Sequence, residues 1–207
     1  MSGDVVGLSG PQELQNVSNP RQETLERVGL YGFALAGESE ELRADRDVVM
    51  AAVKQHGWAL QYASAERRAD KQVVLEAVKQ DGNALEYASK ELRAEKEVVM
   101  EAVKQNGRAL KHACEDLQAD RDVAIEAVKH DRSAIQYTSD KSVVMEIVKQ
   151  YGLALKYASE ELRNEKCIVV EAMKQDRRAI QYASKHLLTD KTVFVEIVKQ
   201  CGLALKY

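Results

Sequence analysis

The sequence has few cysteines, no long apolar run and no excess of either charge. Its three cysteines, Cys114, Cys167 and Cys201, are far apart and never in Cys-x-x-Cys spacing, which disfavours a disulfide framework and favours a reducing compartment. No apolar run approaches the roughly 20 residues that cross a bilayer, and the first residues lack the pattern of a secretory signal. The formal net charge of −3 indicates neither a nucleic acid nor a membrane surface as a partner. We expect a soluble intracellular protein of the cytoplasm or an organelle.

Signatures of catalysis and metal binding are also missing. The sequence has no glycine-rich phosphate loop after a strand, no Gly-x-Ser-x-Gly and no His-Glu-x-x-His, the patterns that would position a phosphate, a nucleophile or a zinc ion. Of the four histidines, only His112, with Cys114 two residues further on, offers even a pair of metal ligands. We therefore expect no catalytic residue, no metal and no cofactor.

The chain does contain a clear tandem repeat with a period of 25 residues. A degenerate copy, RVGLYGFALAGESEELRADRD, comes first, and a seventh copy that begins at Val193 stops partway through. The fourth copy has 20 residues, because it lacks five between Ser139 and Asp140. The six copies between occupy residues 48–72, 73–97, 98–122, 123–142, 143–167 and 168–192.

Each copy predicts two helices. The first opens with an acidic residue followed by a basic one, which suits a helix N-terminus, and carries an apolar stripe. It closes before a glycine such as Gly82, for which we expect a left-handed C-terminal cap. Arg132 and Arg177 replace that glycine in two copies, where a left-handed cap would cost about 1 kcal/mol or the turn takes another shape. The second helix carries one apolar face, at Ala84, Leu85, Ala88 and Leu92 in the second copy.

Hairpins this short cannot bury their apolar faces alone, so they should stack. We predict an all-α fold, an α-solenoid of tandem short αα-hairpin repeats with a period of 25 and one copy of 20. Residues 1–22 are expected to form a flexible leader, and residues 23–207 a single domain of about seven repeats. Its first, degenerate copy should act as an N-terminal cap, and its last copy is truncated and uncapped. The five residues missing from the fourth copy lie at the end of the second helix or form a short turn of their own. An array in which each repeat contacts only its neighbours tolerates the loss of these residues, and we expect a kink in the stack at the fourth copy.

The consensus DKxVVxEAVKQxGxALxYASxELRxD, which spans residues 45–207, resembles a family of short repeats catalogued only as a domain of unknown function. The resemblance implies no activity, cofactor or catalytic residue. The short fourth copy and the arginines at two turns depart from the pattern and make a uniform superhelix doubtful.

One column of aromatic residues is the candidate interaction surface. It could line a ligand groove, since tyrosine and tryptophan make good binding hot spots. We favour the alternative that each ring packs between hairpins with its hydroxyl at the rim. Trp58 follows a turn glycine at a mostly polar position, and we expect it to anchor the leader or a partner. The candidate residues are Trp58, Tyr62, Tyr87, Tyr137, Tyr157, Tyr182 and Tyr207, with His112 in the same column in the third copy.

A lysine and a glutamine column also recur, at Lys79 and Gln80 in the second copy. A row of lysines could hold phosphates, but a glutamate such as Glu76 precedes most of them by three residues and should neutralise them. We therefore favour a structural role for both columns.

These features predict a non-catalytic scaffold that binds a protein partner. The alternative is a structural or linker subunit of a larger assembly, motivated by the uncapped C-terminal repeat, which could also support end-to-end self-association. An enzyme is disfavoured, because a catalytic site should interrupt the repeat with a cluster of single polar residues, and no copy does this.

Overall fold

The computed structural model describes residues 19–200, and the regular structure of that range is entirely helical. Each full copy contains a ten-residue α-helix, a six-residue 3-10 helix and a short α-helix of four or five residues. The long helices are α1 (Pro20–Leu30), α2 (Arg46–Gln55), α3 (Lys71–Gln80), α4 (Lys96–Gln105), α5 (Arg121–His130), α6 (Lys141–Gln150), α7 (Lys166–Gln175) and α8 (Lys191–Gln200). The 3-10 helices are Gly32–Gly37, Gly57–Tyr62, Gly82–Tyr87, Gly107–His112, Arg132–Tyr137, Gly152–Tyr157 and Arg177–Tyr182. The short helices are Glu40–Ala44, Ala65–Arg68, Lys90–Arg93, Glu115–Gln118, Glu160–Arg163 and Lys185–Thr189.

The long helices begin and bury their apolar stripe as the sequence predicts. Asp70 caps α3 by accepting the backbone N–H groups of Gln72 and Val73 at 3.0 and 3.3 Å. Successive long helices pack side by side, and the 3-10 helices form a second layer against them. Both layers contribute to one continuous core, which confirms the all-α repeat solenoid. The residues of α3 with no exposed surface are Val73, Val74, Ala77 and Val78.

The second arm of each copy is not one continuous α-helix. Ala84 and Leu85 lie in the 3-10 helix, Ala88 is extended (φ −66°, ψ 155°), and Leu92 lies in the short helix that follows. All four are buried, so the predicted apolar face is correct although the backbone between them changes type. The five residues missing from the fourth copy correspond to this short helix, which confirms that they form a turn of their own.

The glycine between the two arms does not form the expected left-handed cap. None of the described glycines has a left-handed backbone, and Gly82 begins a 3-10 helix directly after the extended residue Asp81. The reason for glycine is close approach, because a Cβ on Gly82 would lie 2.3 Å from the carbonyl oxygen of Ala102 in the next copy. The expectation of a left-handed cap was therefore wrong, and with it the cost assigned to arginine at this position.

Arginine at the glycine position comes with larger neighbours. Ala102 belongs to a column that carries isoleucine after each of the two arginines, at Ile147 and Ile197. The guanidinium of Arg132 lies over the ring of Tyr151, 5.5 Å from its centre. After the short fourth copy, an exposed arginine thus lies against an aromatic ring of the next copy, whereas the glycine junctions bring backbones together. The kink expected there stays a prediction.

The basic residue after each N-cap joins neighbouring copies. Lys96 pairs with Asp120 and Asp122 at 2.8 and 3.3 Å, in the first turn of the next long helix. After the short copy the pairing shifts, since Arg121 contacts Glu146, a turn further along α6. The equivalent pairs of the other junctions are Arg21 with Asp45 and Asp47, Arg46 with Asp70, Lys71 with Glu95 and Glu97, and Lys141 with Glu165.

The degenerate copy covers the N-terminal end of the stack. Glu38 accepts hydrogen bonds from Arg27 at 2.6 Å and from Thr24 at 3.1 Å, so its carboxylate is satisfied although it is 8% exposed. Residues 20–22, assigned to the leader, form the first turn of α1. Residues 1–18 of the leader, and residues 201–207 at the truncated end of the last copy, including Tyr207, lie outside the described residues.

Candidate interaction surface

The tyrosine column lies at the C-terminal ends of the 3-10 helices. Tyr62, Tyr87, Tyr137 and Tyr182 are half-buried, and Tyr157 is 41% exposed. Their hydroxyls form no hydrogen bond within the described chain, and none is sealed from solvent. Burial, together with the nearby Glu86 and Tyr62, raises the pKa of Tyr87. The rings therefore pack within the stack while their hydroxyls reach its surface.

Two aromatic residues of the first copies extend this column. The Trp58 ring packs edge-on against Tyr87 of the next copy, with ring centres 5.6 Å apart. Its indole N–H donates to a carboxylate oxygen of Asp81, which also belongs to the next copy. Phe33 makes the equivalent contact with Tyr62 at 6.5 Å. Trp58 thus joins two copies within the described chain.

His112 takes the place of tyrosine in the third copy. Its side chain is 12% exposed, and its Nε2 atom is buried without a hydrogen-bond partner, 3.8 Å from a carboxylate oxygen of Glu86. Burial is the largest influence on this ring and lowers its pKa, with Lys111 and Arg93 acting in the same direction and Glu86 opposing them. Burial therefore favours the neutral form of the ring.

An arginine column lies beside the tyrosines, and the sequence reasoning missed it. Arg43, Arg68, Arg93 and Arg163 lie at or near the C-terminal ends of the short helices. The backbone carbonyl of each accepts an N–H from the next copy, as Arg68 does from Ser89 at 2.9 Å. These four arginines recur at the same repeat position, which was a signal present in the sequence. The sequence did not show that the backbone of each is fixed against the following copy.

These four arginines have no acidic partner within the described part of the chain. Each is half-buried, and the Nε atom of each is sealed from solvent without an acceptor. No ion pair or side-chain hydrogen bond joins any of them to another described residue, whereas the bases that follow the N-caps contact carboxylates of the next copy. Buried guanidinium groups normally gain such partners, because an unmet donor is costly.

A groove lies between the short helices of neighbouring copies where both columns are present. It has a volume of about 230 Å³ and is lined by Arg68, Tyr87, Ser89, Lys90 and Arg93, together with two alanines. No carboxylate lines this groove. It therefore presents two guanidinium groups, an ammonium, a phenol and a hydroxyl, a donor set suited to anionic groups. We call the arginine column and the tyrosine column, with His112, the tyrosine–arginine face.

The lysine and glutamine columns lie on the long helices. Glu126 with Lys129, Glu146 with Lys149 and Glu171 with Lys174 are within 4 Å, as the spacing predicted. Three lysines earlier in the chain, Lys54, Lys79 and Lys104, have no such partner among the described residues. The Gln105 and Gln175 side chains accept the N–H groups of Gly82 and Gly152 in the preceding copies, at 2.7 and 2.9 Å, which agrees with a structural role.

The part of the chain that the structure describes contains no group of three or more histidine, cysteine or acidic side chains that could hold a metal ion. Within it Cys114 is half-buried and Cys167 exposed, both as free thiols. Of the described helices, none combines the length and apolar character needed to cross a membrane.

The fold and its repeated junctions define a helical tandem-repeat protein. The family described as Domain of unknown function (DUF4116) matches in five overlapping segments, 25–68, 45–93, 70–118, 95–141 and 140–188. These matches cover most of the chain, and the chain belongs to this family. No curated protein and no solved structure matches it.

Proposed function

We propose that the protein is a non-catalytic scaffold that binds a protein partner along the tyrosine–arginine face. The observation that carries this proposal is the row of half-buried arginines without acidic partners, set beside tyrosines whose hydroxyls reach the surface. Tyrosine, tryptophan and arginine dominate binding hot spots, because they combine a large contact area with a polar end.

The rigidity of this face supports the same conclusion. The backbone N–H of Ser89 binds the Arg68 carbonyl, and that of Ser64 binds the Arg43 carbonyl, each at 2.9 Å. The tyrosine rings are half-buried in the stack. A backbone already fixed and rings already packed lose little conformational entropy on binding, so a larger share of the contact energy appears as affinity.

The proposal is tested by affinity purification from the native cell with quantitative mass spectrometry. The parent chain is compared with the double variant Tyr87→Ala, Tyr157→Ala. We expect a protein that co-purifies with the parent at near one-to-one stoichiometry and is depleted at least about fivefold with the variant.

The control variant is Lys79→Ala, Lys149→Ala, which truncates two exposed side chains on the long helices of the same copies. Circular dichroism must show all three baits folded at the assay temperature. Recovery of the parent bait alone, or equal depletion by both double variants, would contradict the proposal.

A further inference from the structure

We infer that the arginines of the first copies bind an extended acidic peptide of the partner, with anionic side chains about three residues apart. This inference rests on the proposed scaffold function and names the chemistry of its partner. The segment involved runs from Arg43 through Arg68 to Arg93, because arginine occupies three successive copies only there, and Gln118 follows in the next copy.

The charges around this segment favour an anionic ligand. Arg68, Arg93 and Lys90 line one groove, and no carboxylate lines it with them. Within the described chain none of the three forms an ion pair. A carboxylate or phosphorylated side chain in the groove would supply the acceptors that the chain itself does not.

The spacing of the copies selects an extended peptide. Packed helices lie roughly 8–10 Å apart, and an extended chain advances about 3.3 Å per residue. Anionic residues three apart would therefore meet successive arginines. Between them, the peptide would pass Tyr62 and Tyr87, whose rings offer apolar contact and whose hydroxyls offer hydrogen bonds.

A peptide fits this surface better than a nucleic acid. The whole chain carries a net charge of −3, and the exposed acids Glu66 and Glu91 belong to the same short helices as the arginines. A nucleic acid gains affinity by releasing counterions along a broad positive surface. Isolated cations bordered by acids suit a ligand that presents separate negative groups.

The test measures fluorescence anisotropy with a labelled ten-residue peptide that has aspartate at every third position. A second peptide has the same composition with its aspartates adjacent, and a third has phosphoserine in place of the spaced aspartates. All are titrated with the full chain at about 0.15 M salt, where exposed charges are screened beyond ~8 Å. We expect at least one of the two spaced peptides to bind at least about fivefold more tightly than the clustered one. Whichever spaced peptide binds more tightly shows whether the site prefers a carboxylate or a phosphate group.

Two triple variants locate the site. The first is Arg43→Gln, Arg68→Gln, Arg93→Gln, for which the natural Gln118 shows that the fold accepts glutamine at this position. The matched control is Lys54→Gln, Lys79→Gln, Lys104→Gln, which removes three unpaired positive charges from the long helices of the first, second and third copies. We expect the arginine variant to lose affinity at least about tenfold and the lysine variant less than about twofold. Gln118→Arg should tighten binding of a peptide lengthened by one acidic repeat.

An equal loss of affinity in the two triple variants would overturn the inference, because the peptide would then bind through the overall electrostatic potential of the protein. Absence of binding by either spaced peptide below about 1 mM would overturn it as well. The affinity purification separates this inference from the scaffold function. If a recovered partner still binds the arginine variant but not Tyr87→Ala, the scaffold function stands and this inference alone is refuted. Circular dichroism and the urea midpoint of each variant show that any loss of affinity does not come from unfolding.

Discussion

The close approach at the glycine junctions gives the sharpest prediction about stability. A Cβ on Gly82 would lie 2.3 Å from the Ala102 carbonyl oxygen, while real Cβ atoms essentially never approach closer than 3.0 Å. Gly82→Ala must therefore part the 3-10 helix and α4 by about 0.7 Å. The obstacle is a backbone oxygen in the middle of a helix, so no side-chain rotation relieves it. Overpacking of this kind costs about 1–3 kcal/mol, only partly offset by the lower chain entropy of alanine in the unfolded state.

The matched control is Gly29→Ala in α1, where an added Cβ meets nothing within 4 Å. Alanine is more favourable than glycine by about 0.5–1 kcal/mol in a helix interior and by less at the last residue but one, where Gly29 lies, so this variant should be slightly more stable than the parent. The two glycine-to-alanine changes are thus expected to shift stability in opposite directions.

The assay is urea unfolding followed by far-ultraviolet circular dichroism, with hydrogen exchange to locate the loosened copies. We expect Gly82→Ala to lower the midpoint and to reduce amide protection in 82–87 and α4, since repeat arrays couple mainly to their neighbours. A Gly82→Ala variant as stable as the parent would refute the argument from close approach. A loss of stability in Gly29→Ala as large as that in Gly82→Ala would refute it too.

Three further predictions concern side chains that join or interrupt the stack. His112→Tyr should reduce the loss of stability between pH 7 and pH 5, measured by thermal unfolding. The pKa of His112 is lowered in the folded state, so its neutral ring adds stability above the unfolded pKa of about 6.5. That stability is lost as the pH falls below this value. Lys96→Gln should lower the urea midpoint slightly at low salt and not at 1 M salt, because its pairs with Asp120 and Asp122 are exposed and screened; an equal effect at both salt concentrations would contradict this. Thr138→Ala should raise the thermal midpoint by an amount worth about 1 kcal/mol, since the hydroxyl is buried without a partner where most copies have alanine; a lower midpoint would show that the hydroxyl has an unseen role.

The sequence predicts well whatever depends on periodicity within one copy. The burial of Val73 and Leu85 follows from apolar spacing, and the short fourth copy could be explained before its shape was known. The 3-10 helix was not predicted, because within six residues apolar positions three apart, such as Ala84 and Tyr87, share a face in either helix type. The extended backbone of Ala88 becomes visible only in the structure, where the 3-10 helix ends at Tyr87.

Features that depend on the next copy could not be predicted from one copy. Gly82 looks like a helix cap in sequence, and only the backbone oxygen of Ala102 shows why glycine is required. The base after each N-cap suits a helix terminus equally well whether or not it reaches the next copy. Lys71, for example, contacts acids 24 and 26 residues further on. The arginine column could have been found by its recurrence, but its lack of acidic partners depends on packing between copies.

Differences between copies indicate where the scaffold can acquire specificity. At the glycine junctions, arginine in one copy goes together with isoleucine in place of alanine in the next copy, because a change at a junction affects two copies at once. The tyrosine–arginine face changes without such a coupled replacement: the third copy carries His112, Cys114 and Gln118 where the second carries tyrosine, serine and arginine, and the fourth lacks the short helix altogether. Substitutions on this face leave the packing between copies intact. The order of residues along the face can therefore evolve to fit one ligand. On this argument, the uninterrupted run from Arg43 to Arg93 is the part of the face with the clearest preference of its own, and it ends where Gln118 removes the charge.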